Sequence, residues 1–315
     1  MSCTNKYNNS AELLCKCTVV CGVFFIFKIM ILIVDSGSTK SDWIAVDSDG
    51  NKLLEKIRTK GLNPAILTEK KLAKRILKSQ DLKTNKEKVT HVFFYGAGCG
   101  TEKAKQFLDS VLKKIFVNAH IEVNEDTLAA VYSTINHPKE AAVVCILGTG
   151  SNCSYYDGEQ LHQRVKSLGY TLMDDASGNY YGKQLIRDYY FNHMPENVRI
   201  AFGSKFNMDA DFIKYNLYKQ PSPNAYLANF AEFMFLHKDS VYIIELIKKG
   251  IRLFATNMIM QFKEELKTVP VHFAGSIAYF AQQEINEVAQ EMGFTVGNFE
   301  RRPIDGLIPF HTNNL

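Results

Sequence analysis

From Met30 onward the chain alternates between two hydrophobic periods. "MILIVD" and "WIAVD" are short apolar runs separated by Ser, Gly, Thr and Lys. They read as the strands of a hairpin whose loop is too long for a two-residue turn. Thr68 is a candidate N-cap for a helix that puts Leu72, Ile76 and Leu77 on one face. "VTHVFFYGAG" reads as a strand ending in glycines, and residues 101–116 set Ala104, Phe107, Leu108, Val111, Leu112 and Ile115 at helical spacing. "HIEVNED" is a further strand, ending on acids.

The opening layout returns about 110 residues later in "AAVVCILGTGSNCSYYDG", an apolar run, a turn of Gly, Thr, Ser and Asn, and a second strand. Two copies predict two similar lobes, each begun by a hairpin, with a hinge near residues 125–135. The remainder reads as mainly helical. Residues 240–267 form a long amphipathic stretch, "VHFAGSIAYF" is a strand and glycine turn leading into a helix, and residues 294–311 are expected to return to short strands.

Composition adds bounds. At 315 residues, 46% hydrophobic and 22% charged, the chain can bury an ordinary core, and its length favours two lobes. Net charge is +4 with no long basic block except the lysines between Glu69 and Lys78, which read as a solvated helix face; no nucleic-acid partner is demanded. Of the seven cysteines, four precede residue 22, and none beyond Cys15-x-Cys17 shows zinc-type pairing, which points to a reducing cytoplasm. The run "TVVCGVFFIFKIMILIV" is broken by Lys28 and flows into the first strand without a small-residue cleavage site, so neither a membrane span nor a signal peptide is expected. Residues 1–29 are expected to stand outside the fold as an N-terminal extension, with translation starting at Met30.

The two glycine turns carry the candidate chemistry. Without Cβ atoms a turn can point several backbone N–H groups at one ligand oxygen. In the first turn the donors would be Gly37, Ser38 and Thr39, with Lys40 beside them. Asp35 next to such a cradle would repel a phosphate unless a cation lay between, and Mg²⁺, held by one or two carboxylates plus substrate phosphates, resolves that conflict. The alternative is that Asp35 caps the hairpin turn. The turn leads into a strand, so it is no Walker A loop. Two such hairpins facing each other describe an adenine nucleotide clamped across a cleft. Asp126 is either a base for an alcohol or a first-turn helix acid.

"VDSGSTKSDW", "EDTLAAV", "ILGTGSNCSYYDG", "SLGYTLMDDASG" and "FAGSIAYF", in this order, resemble N-acetylglucosamine kinases and the related BadF/BadG-type ATPases of the sugar kinase and actin-like superfamily; the resemblance covers residues 30–311. It implies an α/β fold of two ribonuclease-H-like (actin-like ATPase) lobes around a cleft that holds ATP and Mg²⁺. The first lobe would comprise residues 30–127 joined by about 296–315, and the second residues 128–295. It further implies phosphate contacts from Asp35 through Lys40 and from Gly148, Thr149, Gly150 and Ser151. Adenosine contacts would come from Gly275, Ser276 and Ala278, sugar contacts from Asn63, Asp126, Thr149, Asn152 and Asp174, with Asp126 as general base. The implied activity is an ATP-dependent amino-sugar kinase, acting in the cytoplasm on N-acetylglucosamine, glucosamine or a muramic acid relative, and a homodimer is the family expectation. Where such kinases read Gly-Asp-Glu-Gly-Ser-Gly, this chain has "MDDASG", residues 173–178. A sugar sensor with weakened catalysis, or an ATPase coupled to a partner through an iron–sulfur cluster, are the alternatives.

Overall fold

The computed structural model describes residues 29–37 and 40–315. The expectations for residues 1–28, and for Ser38 and Thr39 as phosphate donors, fall outside the described residues. The first half runs β1 (Ile31–Ser36), β2 (Lys40–Val46), β3 (Ile57–Lys60), α1 (Glu69–Leu77), α2 (Gln80–Asn85), β4 (His91–Gly96), α3 (Glu102–Ile115), β5 (His120–Glu125) and α4 (Asp126–Tyr132). The second half opens with β6 (Ala142–Leu147), β7 (Ser151–Tyr156) and β8 (Leu161–His162). A helical block follows: α5 (Gly178–Tyr190), α6 (Glu196–Lys205), α7 (Ala210–Tyr218), α8 (Pro223–Phe230), α9 (Glu232–Leu236) and α10 (Val241–Asn257). The chain closes with β9 (Val271–Ala274), α11 (Ser276–Phe280), α12 (Gln282–Met292), β10 (Val296–Glu300) and α13 (Pro303–Asn313).

Five strands form each sheet, in the orders β3-β2-β1-β4-β5 and β8-β7-β6-β9-β10. The duplication read from the sequence is therefore a duplication of topology, in an α/β fold of two actin-like lobes. In each copy an antiparallel hairpin supplies the central strand, and two parallel strands extend the sheet. β1 is covered on both faces, which is why its sequence is a continuous apolar run rather than an alternating one. Leu32 and Val34 pack with Trp43 and the α1 and α3 residues Leu72 and Leu108, while Ile31 and Ile33 pack with Ala129 of α4 and Leu307 of α13.

The helices α4 and α13 lie between the sheets. Ala129 packs toward the first, whereas the next residues, Ala130 and Val131, pack with Val144 and Ala274 of the second. α13 does likewise through Leu307 and Phe310. Its far end is pinned by His311, whose Nε2 lies 2.8 Å from the Tyr95 hydroxyl and whose ring stacks 3.6 Å from Phe93. Burial lowers the His311 pKa to about 3, so the ring is neutral.

Several expectations are corrected. Residues 294–311 contain one strand, not several: Pro303 starts a helix, where its fixed φ is pre-organised. Ile304, Leu307 and His311 then recur at helical spacing. β10 is hydrogen-bonded to β9, so residues 296–300 sit in the second sheet and only α13 packs against the first. Ile29, expected outside the fold, packs against the core under β1. Thr68 occupies the N-cap of α1 without making a side-chain cap bond. The 240–267 stretch breaks after Asn257 into two short 3₁₀ turns. Among the described residues no helix is long and apolar enough to cross a membrane.

The helical block is held by close backbone approach. A Cβ at Gly182 on α5 would stand 1.8 Å from the Leu227 carbonyl oxygen of α8, a backbone atom that cannot step aside. Gly182→Ala is expected to cost about 3 kcal/mol through forced separation of the two helices. Urea unfolding would measure it, and a change below about 0.5 kcal/mol, the size of an ordinary surface substitution, would contradict this packing.

Candidate active site

The tip of β1 gathers three loops. Ser36 is buried, and its Oγ lies 2.6 Å from Ser41 Oγ across the hairpin. The same oxygen accepts the Leu62 N–H at 3.1 Å, and the Ser36 carbonyl accepts Ala97 N–H at 2.8 Å. One side chain and its carbonyl thus tie the first turn to the "GLNP" loop and the "GAG" loop after β4. Asn63 of the first of these loops accepts the Ala65 N–H through Oδ1 at 2.9 Å and lies against Gly98. Gly98 has φ +86°, and a Cβ there would meet Asn63 Oδ1 at 2.0 Å, so both conformation and space demand glycine.

Asp35 sits directly opposite Asp42 in the hairpin register. Asp42 is paired with Lys56 Nζ at 2.7 Å and Arg58 Nε at 2.8 Å, which hold its carboxyl below the usual carboxylate range. Asp35 is raised instead, to about 6, by burial first and then by the charges of Asp42 and Asp126; Lys40 and Lys56 oppose the shift. Asp126 is the first residue of α4, where the chain leaves the end of β5. Its carboxylate accepts the Thr127 N–H at 3.1 Å and remains open to solvent on one side, yet desolvation by the surrounding protein raises its pKa. The two acids named from sequence are therefore close enough for the charge of Asp126 to raise Asp35.

The second turn is stitched as tightly. Gly148 N–H donates to Gly150 O at 2.9 Å, and Gly178 N–H donates to Gly148 O at 2.7 Å. Asn179 donates its side-chain amide to Thr149 O at 2.6 Å and to Asp174 Oδ2 at 3.0 Å. A Cβ at Gly150 would lie 2.8 Å from Asp174 Oδ2. Gly275, at φ +113°, is pressed so closely on Leu147 and Gly148 that a Cβ would come within 2.3 Å of the Leu147 oxygen. Thr149, Gly150, Ser151, Asp174 and the Gly275–Ala278 segment consequently form one corner of the second lobe. Asn152 lies on β7 next to the turn, with Gln163 Nε2 3.5 Å from its Oδ1.

In "MDDASG" the backbone adopts positive φ at Asp174 (+67°) and Ala176 (+56°). Ala176 thus takes a conformation that glycine takes without a Cβ penalty, and the turn forms despite it. Asp175 is held by Asn257 Nδ2 at 2.9 Å, and a cavity of about 200 Å³ opens between Ser151, Asp174 and Asn257. The sequence placed Ser36 only within the phosphate turn and gave no sign of Asn179; their ties to Leu62 and Thr149, 26 and 30 residues away, carry no local motif.

A cation fits this site. Asp35 is half-buried beside two like charges, and its negative charge is disfavoured until a positive group joins it. No group of three or more metal-ligating side chains exists among the described residues, and an ion arriving with phosphates requires only one or two carboxylates. Because the folded state holds the Asp35 proton more tightly than the unfolded chain, its contribution to stability falls as pH rises from about 4 to 6, and above that range the ionised group is a cost of about 3 kcal/mol. Asp35→Asn, free of metal and nucleotide, is expected to be more stable than the parent by that amount at pH 7.5, with the difference gone near pH 4. Thermal unfolding at the two pH values measures this, and a less stable variant at pH 7.5 contradicts it.

Among solved structures the chain is similar to a provisionally assigned N-acetylglucosamine kinase from Porphyromonas gingivalis, at 32% identity over 90% of this chain and 99% of that one, with a TM-score of 0.80. It is also similar to a provisionally assigned N-acetylglucosamine kinase from Chromobacterium violaceum, at 14% identity over 90% and 99% of the two chains with a TM-score of 0.63. A ROK family glucokinase from Streptomyces griseus, in complex with glucose and AMPPNP, matches at 13% identity over 89% and 97% with a TM-score of 0.53. These last two are likenesses of fold alone. No family model and no curated protein matches the sequence.

Proposed function

Given that the chain belongs to the N-acetylglucosamine kinase-like family of the sugar kinase and actin-like ATPase superfamily, we propose that it is an ATP-dependent kinase of an amino sugar, N-acetylglucosamine or a relative. The observation that carries this reading is the meeting of Asp126, at the head of the helix between the sheets, with Asp35 at the first hairpin turn. One acid suits an alcohol and the other a cation-bound phosphate.

In this reading Gly37 and Lys40, with Ser38 and Thr39, hold phosphate oxygens from the first lobe, and Gly148, Thr149, Gly150 and Ser151 hold them from the second. Gly275, Ser276 and Ala278 receive the adenosine. Asn63, Thr149, Asn152 and Asp174 orient the sugar. Mg²⁺, held through Asp35 directly or by water, supplies charge neutralisation on the phosphates when bound. Asp126 accepts the hydrogen bond of the reacting sugar hydroxyl. As the sugar oxygen bonds to the γ-phosphorus, the bond from that phosphorus to the bridging oxygen breaks, ADP leaves, and the alcohol proton passes to Asp126. A raised Asp126 pKa makes it a better proton acceptor near neutral pH than an ordinary aspartate.

The reading of a partner-coupled ATPase is not favoured. Cys99 and Cys153 are both buried, in separate cores, and burial pushes the Cys99 thiol up to about 12. Neither is presented for a cluster at a subunit junction. The sensor reading drew on the "MDDASG" departures, yet the turn still closes, with the Asn179 side-chain amide donating to Asp174 Oδ2 at 3.0 Å.

A panel of hexoses and amino sugars assayed for ATP-dependent phosphorylation is the test. An N-acetylated or free amino sugar is expected to be turned over, and Asp126→Asn is expected to lower kcat by roughly 10²- to 10⁴-fold with ATP affinity retained. No turnover of any sugar, with one of them still raising the melting temperature, would replace the kinase by a sensor. Full activity in Asp126→Asn would remove the base assignment.

A further inference from the structure

The duplication sets up a comparison between the two lobes. In the first, the loop after β4 (Gly96, Ala97, Gly98) stands beside the end of β5, where Glu125 pairs with Gly96 and the acid Asp126 follows. In the second, the Gly275 turn after β9 stands beside the end of β10. There Glu300 pairs with Ala274, the Glu300 carbonyl accepts the Gly275 N–H at 2.8 Å, and the next residues are Arg301 and Arg302. Where the first lobe offers a carboxylate, the second offers a guanidinium.

Arg301 is exposed, has no carboxylate within 4.0 Å among the described residues, and is held by an aromatic ring instead. Its Cζ stands 4.9 Å from the centroid of Phe280, the last residue of the helix that starts at Gly275. Phe280 is itself 41% exposed and packs 5.4 Å from Phe235. Its carbonyl accepts from Lys238 Nζ at 3.2 Å, and Lys238 is tied to Glu284 at 2.8 Å. The end of the helix is thus anchored, and its ring gives the guanidinium a fixed apolar seat. A planar, weakly hydrated cation resting on one ring is suited to stacking a second flat ring on its other side.

We infer that Arg301 is a base-stacking residue: its outer face covers the adenine ring of a nucleotide whose ribose and phosphates follow the Gly275 and Gly148–Ser151 turns, and Phe280 is its positioning residue. This rests on the nucleotide site proposed above. It adds selectivity for a nucleobase, which the backbone cradles do not supply.

Calorimetric titration with Mg·ADP and, separately, with magnesium tripolyphosphate tests it without reference to turnover. Arg301→Ala is expected to weaken ADP about tenfold, in the range for stacking on one base, and to leave tripolyphosphate within about twofold. Retained tripolyphosphate binding also reports that the variant is folded. Arg301→Lys keeps the charge but not the plane and is expected to fall with the alanine variant, and Phe280→Ala to lose about threefold for ADP only. ADP affinity unchanged in Arg301→Ala, equal loss for both ligands, or full affinity in Arg301→Lys would each overturn the inference while leaving the kinase reading standing. A parent protein that binds neither ligand would overturn both.

Discussion

A carboxylate loses solvation when it is half-buried, and its ionised form is disfavoured further when like charges stand beside it. Asp35 is in that position, between Asp42 and Asp126, and its pKa of about 6 records the cost. Asp42 is spared because Lys56 and Arg58 hold it. The fold therefore favours additional positive charge at the tip of β1, beyond that of Lys40 and Lys56. In the proposed reading a magnesium-bound triphosphate would meet that demand, and the free energy that the fold forgoes at this strand end would become binding free energy for the nucleotide.

The demand is useful only if the surrounding loops are fixed. Ser36 fixes those of the first lobe with one hydroxyl and one carbonyl, and Asn179 fixes those of the second by bridging Thr149 and Asp174. Both sheets then meet across α4 and α13, whose small and branched residues pack in both directions. Because α4 begins with Asp126, the element that joins the lobes is also the element that presents the proposed base. Relative rotation of the lobes would move that carboxylate with respect to both turns, which gives closure on substrate a physical route to catalysis.

Much of the architecture was legible in the sequence. The hairpins Ile31–Val46 and Ala142–Tyr156 announced themselves because a doubly covered central strand must be continuously apolar, and the repeat of the pattern carried the two-lobe expectation. Residues 294–311 were expected to form short strands and contain only one, because Pro303 falls where proline is pre-organised for a helix and Pro309 is tolerated inside α13, where Leu307 and Phe310 are buried. At the site, glycines and acids were visible as residue types. The loop-tying roles of Ser36 and Asn179 were not, because they lie in hydrogen bonds to Leu62 and Thr149 far along the chain, and Arg301 drew no notice because its meaning comes from the ring beneath it.

The proposed activity requires a cation seated between the two glycine turns and Asp35. Crystals grown with ADP and Mn²⁺, and diffraction recorded at the manganese absorption edge, locate that cation directly. The expected anomalous peak lies within about 5 Å of the Asp35 carboxylate, at contact or one water away, with the diphosphate between the Gly37 and Gly148 turns. A nucleotide seated elsewhere, or manganese bound away from Asp35, would contradict it.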